Sequence, residues 1–290
     1  MLGLKRGTVE LFPHQKEWET EAQKTIELIK NICKDAVIDI AHVGSTSVES
    51  IAAKPIIDIA VAVDSFDRFL EYEKDLQKNG FYYRPDCGMD GKQLLFACGS
   101  FYDGTGDKQT HFVHVVKKDS MEWINYNLFR DYLNSNKDVA KEYEELKLSL
   151  AKKNPIDSGR EKYLSGKHDF IVKTLRTALV KSYLGKTVRI EIDRPVGTPH
   201  PKHPEIIYPI NYGYIPGVFG GDGEELDVYV LGINTRIEHD LEVKIIGIVY
   251  RNDDVEDKLC AAPEGMSFTA EEIERTIAFQ EQFYDSHVET

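Results

Sequence analysis

The sequence predicts an α+β protein of two domains: a mixed α/β domain over residues 1–183, then a small β-barrel with a C-terminal helix over residues 184–290. A chain of 290 residues exceeds the usual length of one domain. Near residues 183–186 the pattern changes to short β-rich segments separated by Pro and Gly. The charge changes there too: residues 1–183 hold 27 Lys and Arg against 28 Asp and Glu, whereas residues 184–290 hold 9 against 21. Most of the net charge of −13 therefore belongs to the second domain.

The first domain begins with an amphipathic helix, because apolar residues recur at helical spacing from Trp18 to Cys33. A second helix is capped by Ser65 and stopped by Gly80. A helical pattern runs from residue 120 to about 179, with an interruption near 154–159. The strand candidates are residues 35–43, 55–63, 81–84, 93–98 and 110–116, which gives the order α-β-β-α-β-β-β-α-α-α.

The second domain consists of short strands and one helix. Thr269, with Glu272 three residues later, forms a capping box that predicts a helix over residues 269–284. Short strands of this kind, separated by turn residues, are typical of a small barrel. The predicted strands are residues 187–193, 208–214, 226–231, 243–250 and 258–262.

Composition excludes several classes of function. The four cysteines occur in no CxxC or Cys/His spacing, so neither a disulfide framework nor a structural zinc site is expected, and a reducing cytoplasm fits. The start of the chain lacks the apolar run of a signal peptide, and we expect no membrane partner. The acidic second domain should repel nucleic acid unless bound metal ions invert its local field.

Closely spaced carboxylates mark the strongest candidate site. Asp222, Glu224 and Asp227 follow one another at spacings of two and three residues in a glycine-rich turn. Like charges so close repel one another unless divalent cations lie between them, and oxygen ligands suit Mg²⁺. The acidic run 253–257, which includes Asp254 and Asp257 and precedes Lys258, could hold further ions around one anionic substrate. The alternative is that these carboxylates are simply solvated turn residues.

The segment Tyr208-Pro-Ile-Asn-Tyr-Gly-Tyr, together with residues 221–227, resembles the signature of the family I soluble inorganic pyrophosphatases. Residues 189–194, Arg-Ile-Glu-Ile-Asp-Arg, are similar to that family's Lys-x-Glu-Ile-Asp-Lys strand. The resemblance covers roughly residues 184–290 and implies an OB-like barrel and Mg²⁺-dependent hydrolysis of diphosphate. It also implies roles for individual residues: metal ligands Asp222, Glu224, Asp227 and Asp257; catalytic residues Asp227, Tyr212 and Lys258; and phosphate-binding residues Arg189 and Glu191. From their charge and position alone, Asp254 is a further candidate metal ligand and Lys202 a further candidate for binding phosphate.

Four positions depart from that family's pattern. Glu224 stands where an Asp is usual, and the family's Asp-x-Lys is contracted to Asp257-Lys258. The pair at 283–284 is Phe-Tyr where the family has a phosphate-binding Tyr-Lys. Residues 199–203 contain no Arg at the place of the family's phosphate-binding Arg, although Lys202 could substitute as a point charge.

A Gly-Ser turn after a strand marks a second candidate site. Gly44 and Ser45 could contact a phosphate, and Asp58 could hold a Mg²⁺ that bridges it, although Ser and Thr at such a place also serve as helix caps. The segment His42–Ser47, with residues 54–58 and 111–116, resembles the GrpB family, which has a nucleotidyltransferase-like fold. The resemblance covers about residues 9–178 and implies a nucleotide site at Gly44, Ser45, Lys54, Asp58 and His114. Asp58 is a single carboxylate where working nucleotidyltransferases present Asp-x-Asp.

Together these patterns predict hydrolysis of diphosphate, or of a related phosphoanhydride, by the second domain, and binding or transfer of a nucleotide by the first. A degenerate protein that binds a nucleotide or phosphometabolite is an open alternative. So are a nucleotidyltransferase with a scaffold C-terminal domain and a protein-docking role for the acidic face. The oligomeric state is left open.

Overall fold

The computed structural model describes residues 1–87, 91–155 and 160–290. The chain divides into two compact units, Met1–Ile171 and Val172–Thr290. Within the described residues, no helix combines the length and the apolar composition needed to cross a bilayer. The sequence predicted an interruption of the helical pattern near residues 154–159. Asn154 and Pro155 are indeed not helical, and residues 156–159 lie outside the described residues.

The first unit is built on a mixed sheet. Its strands run in the order β2-β3-β7-β5-β4, and β3 and β7 are parallel while the other neighbours are antiparallel. The apolar stripe of α1 packs on this sheet in one core. The elements are β1 (Leu4–Lys5), α1 (Lys16–Cys33), β2 (Asp39–Val43), β3 (Ile57–Val63), α2 (Phe66–Leu70), α3 (Glu73–Lys78), β4 (Tyr82–Tyr83), β5 (Gln93–Cys98), β6 (Lys108–Gln109), β7 (His111–Lys117), α4 (Met121–Ser135), α5 (Lys137–Lys153) and α6 (Arg160–Ser165).

The second unit contains a closed barrel. Strands β12-β10-β9-β8-β11 are hydrogen-bonded in that order, and β11 pairs back with β12, which closes five strands among the described residues. The barrel and the helix after it confirm the predicted OB-like fold class. The helix α7 (His168–Tyr183) spans the boundary between the units, and the second unit continues with β8 (Thr187–Arg194), β9 (Asn211–Phe219), β10 (Glu225–Val230), β11 (Leu241–Arg251), β12 (Lys258–Ala262), α8 (Ala270–Glu281) and β13 (Ser286–Glu289).

Several element boundaries differ from the sequence prediction. The single helix predicted over residues 65–80 is two helices, α2 and α3, and no Gly or Pro lies between them to mark the break. The last helix ends at Glu281, and the four residues of β13, which the sequence did not predict, pair with β11. A strand that short carries too little alternation to be recognised from its residues alone.

Candidate functional site

A polar pocket of about 300 Å³ lies in the barrel unit, at the lower end of the range typical of small-molecule sites. Acidic and basic side chains share its wall. Such a mixture suits a small anion that is bound together with cations. The acidic lining residues are Asp222, Asp227, Asp254 and Glu256, and the basic ones are Arg194, Lys202, Arg251 and Lys258.

Strand register brings the central residues of this pocket together. The parallel pair β10–β12 aligns Val228 with Leu259, so the preceding residues, Asp227 and Lys258, lie side by side at the start of β12. On the other side of β10, the antiparallel strand β9 carries Tyr212. Asp227 and Lys258, which are 31 residues apart in the sequence, are therefore neighbours because of the barrel topology.

Lys258 makes three polar contacts at the base of the pocket. Its Nζ donates to Glu256 Oε2 at 2.7 Å, to Tyr212 Oη at 2.8 Å and to Asp227 Oδ2. The Tyr212 hydroxyl also donates to Asp227 Oδ2. Lys258 is 2% exposed, and a buried ammonium group is tolerated when several acceptors surround it. The sequence-predicted catalytic residues thus form one hydrogen-bonded group.

Burial changes the proton affinities in this group. Burial, reinforced by the charge of Asp227, raises the pKa of Tyr212 well above its usual value, so the phenol stays protonated and donates. Burial also raises the pKa of Glu256 to about 7, although the charge of the Lys258 ammonium group acts in the opposite direction. Removal from water and the nearby negative charge both disfavour ionisation of Tyr212, which keeps its hydroxyl available as a donor.

Glu256 is the acidic residue that the sequence interpretation missed. The sequence paired Asp257 with Lys258, but the structure turns Asp257 away from the pocket lining: its Oδ2 accepts from Arg176 Nε at 2.7 Å and its Oδ1 accepts from the Arg251 N–H at 3.1 Å. Glu256 and Lys258, two residues apart, lie on the same side of the extended chain. The spacing between Glu256 and Lys258 is the same as the spacing between the two residues of the pyrophosphatase family's Asp-x-Lys. This match was the signal in the sequence that could have identified Glu256.

Asp254 is held by a second, buried ion-pair network. Arg251 donates from Nη1 to Asp254 Oδ2 at 2.8 Å and from Nη2 to Glu281 Oε1 at 2.6 Å, and the Tyr284 ring covers its guanidinium at 3.7 Å. Tyr229 donates its hydroxyl to the same Glu281 oxygen at 2.5 Å. Although burial opposes it, the hydrogen bonds from Val255 N–H and Arg251 lower the pKa of Asp254.

The turn before β10 brings Asp222 to the pocket. A Cβ at Gly221 would lie 2.0 Å from Val255 O, so the absence of a side chain allows the two segments to touch. Asp222 accepts a hydrogen bond from the Glu224 N–H at 3.0 Å and lines the pocket. Glu224, predicted as a metal ligand, is exposed and is absent from the pocket lining.

The three predicted phosphate-binding residues are placed differently. Lys202 lines the pocket. Arg189 is paired with Asp240, and Glu191 lies on an exposed position of β8, so neither contributes to the lining. Arg194 does line it, with its guanidinium 5.0 Å above the Tyr212 ring.

Two buried oxygen atoms in the pocket indicate whether it suits a cation. Glu256 Oε1 and Gln280 Oε1 are both buried without a hydrogen-bond partner in the described part of the chain, and both residues line the pocket. Unsatisfied buried oxygens are costly unless a donor or a cation reaches them. Within the described residues no group of three or more His, Cys, Asp or Glu is preassembled for a metal, and Lys258 Nζ contacts both Asp227 and Glu256. The donor set suits Mg²⁺ if Lys258 moves aside.

The second candidate site lies in the first unit, around Asp58. Gly44 has a φ of 71°, and a Cβ there would lie 2.5 Å from Asp58 Oδ2, so the Gly-Ser turn packs directly on this carboxylate. His114 Nε2 is 3.3 Å from Asp58 Oδ1, and its Nδ1 is 3.0 Å from Tyr126 Oη. The structure thus places Gly44, Asp58 and His114 close together.

The comparisons with known proteins divide the chain into two parts, in agreement with a mixed α/β unit followed by a barrel. Residues 8–177 match the GrpB protein family model, and the chain belongs to the GrpB family. Residues 180–285 match the inorganic pyrophosphatase model, so the C-terminal part carries a pyrophosphatase-like domain.

Individual relatives divide along the same boundary. The glutamate-rich protein GrpB of Alkalihalophilus pseudofirmus is 37% identical over 176 residues, which cover 60% of this chain and 98% of that protein. The crystal structure of GrpB from Enterococcus faecalis superposes with a TM-score of 0.54 at 31% identity, covering 60% of this chain and 99% of that one. The inorganic pyrophosphatase of Saccharolobus solfataricus is 38% identical over 77 residues, 26% of this chain and 41% of that protein.

Proposed function

We propose that the barrel unit hydrolyses inorganic diphosphate, or a related phosphoanhydride, to phosphate in the cytoplasm with the help of Mg²⁺. The observation that carries the proposal is the pocket in which Asp227, Glu256, Tyr212 and Lys258 form one hydrogen-bonded group beside further acids and bases. Its volume of about 300 Å³ accommodates a substrate as small as diphosphate.

Mg²⁺ would be held by carboxylate oxygens of Asp222, Asp227, Asp254 and Glu256. The unpartnered Glu256 Oε1 supports this assignment, since a bound cation would satisfy it. When bound, the ion neutralises phosphate charge and lowers the pKa of coordinated water. Asp257, which is already paired with Arg176, is not part of the proposed ligand set, and Glu224 lies outside it.

The basic residues bind and orient the substrate. Lys258, Arg194 and Lys202 contact phosphate oxygens, and Lys258 leaves Asp227 and Glu256 to do so. Charge-assisted hydrogen bonds of this kind are about twice as strong as neutral ones. Arg194 and Lys202 provide the positive charge that Arg189, paired with Asp240, does not bring to the pocket.

Asp227 and Tyr212 act on the attacking water. The water oxygen attacks one phosphorus atom, the bond from that phosphorus to the bridging oxygen breaks, and the second phosphate leaves. Asp227, released from Lys258, accepts the proton of the water, while the protonated Tyr212 hydroxyl donates to Asp227 and fixes its orientation. Because burial keeps Tyr212 protonated, it serves as a donor across the neutral pH range.

A catalytically degenerate barrel is the second candidate, and the contacts of Lys258 favour it. The ammonium group of Lys258 already forms ion pairs with Asp227 and Glu256, where a metal would have to bind. In addition, Tyr284 stands where the pyrophosphatase family has a phosphate-binding Lys. In that case the first unit, which has only Asp58 where nucleotidyltransferases have paired acids, binds a nucleotide without transferring it. If the first unit does transfer a nucleotide, diphosphate is its product and the barrel would remove it.

Phosphate release from diphosphate, measured with and without Mg²⁺, tests the proposal. We expect metal-dependent turnover in the intact protein, its loss in Asp227→Asn, and unchanged turnover in Glu264→Gln, whose exposed carboxylate pairs with Lys244 at 3.8 Å. Absence of turnover in the intact protein, with Mg²⁺ binding retained, would favour the degenerate barrel instead.

A further inference from the structure

A second cavity, of about 400 Å³, lies beside the polar pocket of the barrel unit. The two cavities adjoin, because four residues line both of them: His200, Lys202, Gln280 and Tyr284. The lining of the second cavity is completed by His203, Glu205, Ile206 and Phe283. We call this second cavity the aromatic pocket.

The aromatic pocket differs from the polar pocket in its chemistry. Four acids and four bases line the polar pocket, whereas Glu205 is the one acid among the described residues that line the aromatic pocket. Two of its rings are open to a ligand, since Phe283 is 63% exposed and Tyr284 is 36% exposed. Exposed rings at a cavity wall offer flat apolar faces on which an aromatic group can stack.

A turn after α8 positions these two rings. The Phe283 N–H donates to the Gln280 carbonyl at 3.3 Å, and the Tyr284 N–H donates to the Glu281 carbonyl at 3.0 Å. The Arg251 guanidinium, 3.7 Å from the centre of the Tyr284 ring, fixes that ring further. A wall that is already ordered loses less conformational freedom when a ligand binds.

The loop over residues 199–207 supplies an uncharged imidazole to the pocket. The His200 N–H donates to the Ile206 carbonyl at 2.8 Å, and His200 Nδ1 accepts from the N–H groups of Lys202 and His203, each at 3.2 Å. Burial, followed by the charge of Arg194, lowers the pKa of His200, which favours the neutral ring. Because Nδ1 accepts, the proton of the neutral ring is on Nε2.

Gln280 carries an unused acceptor where the two cavities adjoin. It lines both of them, and its Oε1 is buried without a hydrogen-bond partner in the described part of the chain. Its neutral amide is not among the carboxylates that we assign to Mg²⁺. A buried acceptor without a donor is costly, so a ligand hydroxyl or amino group that donates to Gln280 would be stabilised there.

We propose that the aromatic pocket binds the base of a nucleoside diphosphate whose phosphates occupy the polar pocket. This inference rests on the hydrolysis proposed for the polar pocket and names its substrate. Inorganic diphosphate uses the charged cavity alone, whereas a nucleoside diphosphate brings phosphates to that cavity, a hydroxyl-bearing sugar to Gln280 and a flat ring to Phe283. Both cavities have volumes that suit groups of this size.

The reaction breaks the same kind of bond as the hydrolysis of inorganic diphosphate. The water oxygen attacks the terminal phosphorus, and the bond from that phosphorus to the bridging oxygen breaks. Its electron pair stays with the bridging oxygen, which leaves as part of the nucleoside monophosphate. Asp227 accepts the proton of the water, and the products are inorganic phosphate and a nucleoside monophosphate.

Phosphate release from ADP and from inorganic diphosphate, measured on the full chain with Mg²⁺, tests this pocket. We expect Phe283→Ala to lower kcat/KM for ADP by about tenfold, chiefly through KM, because a base stacked on an aromatic ring contributes a factor of this order. The same variant should leave kcat/KM for diphosphate unchanged. Phe283→Tyr should keep most of the activity towards ADP, because it retains the ring.

Phe219→Ala is the matched control, because Phe219 is also exposed, at 42%, in the barrel unit and lines neither cavity. It should change neither activity. Asp227→Asn should abolish phosphate release from ADP, which assigns that reaction to the barrel rather than to the first unit.

Turnover of diphosphate without turnover of ADP would overturn this inference and leave the proposed function standing. Equal effects of Phe283→Ala on the two substrates, or ADP turnover that survives in Asp227→Asn, would also overturn it. If neither compound is hydrolysed, the proposed hydrolysis fails, and isothermal titration with ADP decides the question of the pocket. Affinity about tenfold weaker in Phe283→Ala then supports the pocket, whereas equal affinity, or no binding, overturns it.

Discussion

Glu256 and Lys258 form an ion pair of 2.7 Å across a spacing of two residues, while the residue between them, Asp257, is paired with Arg176. Alternation along an extended chain divides three consecutive charged residues between two environments. The pocket receives one acid and one base, and the second acid connects the barrel strands to Arg176, which lies in the part of helix α7 that belongs to the same unit. Neighbouring carboxylates in the sequence therefore have different roles.

The first prediction separates those roles by mutation. Asp257→Asn should destabilise the barrel unit by about 3 kcal/mol, because it leaves the Arg176 guanidinium without its buried partner. Glu256→Gln should change stability much less and should reduce phosphate release strongly. Urea unfolding and a phosphate-release assay on both variants measure the two effects. Equal loss of stability in the two variants would contradict the division of roles.

The second prediction concerns the buried network at the end of α8. Glu281→Gln removes the carboxylate that accepts from both Arg251 and Tyr229, and we expect it to destabilise the barrel unit by about 3 kcal/mol. Glu274→Gln on the same helix is the control, because its exposed carboxylate accepts a long bond of 3.4 Å from the Val288 N–H. Chemical unfolding should show a large shift in midpoint for the first variant and almost none for the second.

The third prediction is a pH dependence caused by Lys147. Its folded pKa of about 7 lies below the ordinary value of 10.5, so the unfolded chain holds more protons between these two pH values. The free energy of unfolding should therefore rise as pH rises from about 7 to about 10.5, by at most about 1.4 kcal/mol per pH unit from this group. Below pH 7 both states are protonated and the full penalty of the buried charge remains.

Lys147→Met should remove that contribution and should be more stable than the parent at pH 7. The groups that face Lys147 are Glu144, Lys167 and Lys54. The measurement is urea unfolding of parent and variant from pH 7 to pH 9, and the difference between the two curves isolates this lysine. A difference that stays constant with pH would show that Lys147 titrates normally in the folded chain.

The fourth prediction concerns Mg²⁺ and stability rather than turnover. A ligand that binds the folded state raises its apparent stability, so Mg²⁺ should raise the unfolding temperature of the barrel unit. Glu256→Gln should reduce that increase, because it removes an oxygen that we assign to the metal, and Glu264→Gln should leave it unchanged. An equal increase in all three proteins would place the bound ion outside the pocket.

The sequence predicted the barrel because its strands and its helix depend on local patterns. Alternation located the strands, and the capping box at Thr269, in which Glu272 takes part, is present in the structure. The pairing of Arg189 with Asp240 and the position of Arg251 against Glu281 could not be predicted, because the partners lie 51 and 30 residues apart. Such contacts depend on strand register and helix docking rather than on nearby sequence. Glu256 was recognisable in principle, since its spacing from Lys258 is a local feature.

The last prediction concerns the turn that carries Asp222. In Gly221→Ala the new Cβ would lie 2.0 Å from the Val255 carbonyl oxygen, so the turn and the segment 253–257 must separate. We expect reduced phosphate release, because Asp222 moves away from Asp254, and a loss of stability of about 2 kcal/mol. Gly223→Ala is the matched control. An Ala at the φ of 84° found there is destabilised by about 1 kcal/mol, but nothing lies within 4 Å of the added Cβ. If both variants lose turnover equally, flexibility of the turn, rather than its close approach to residue 255, supports the site.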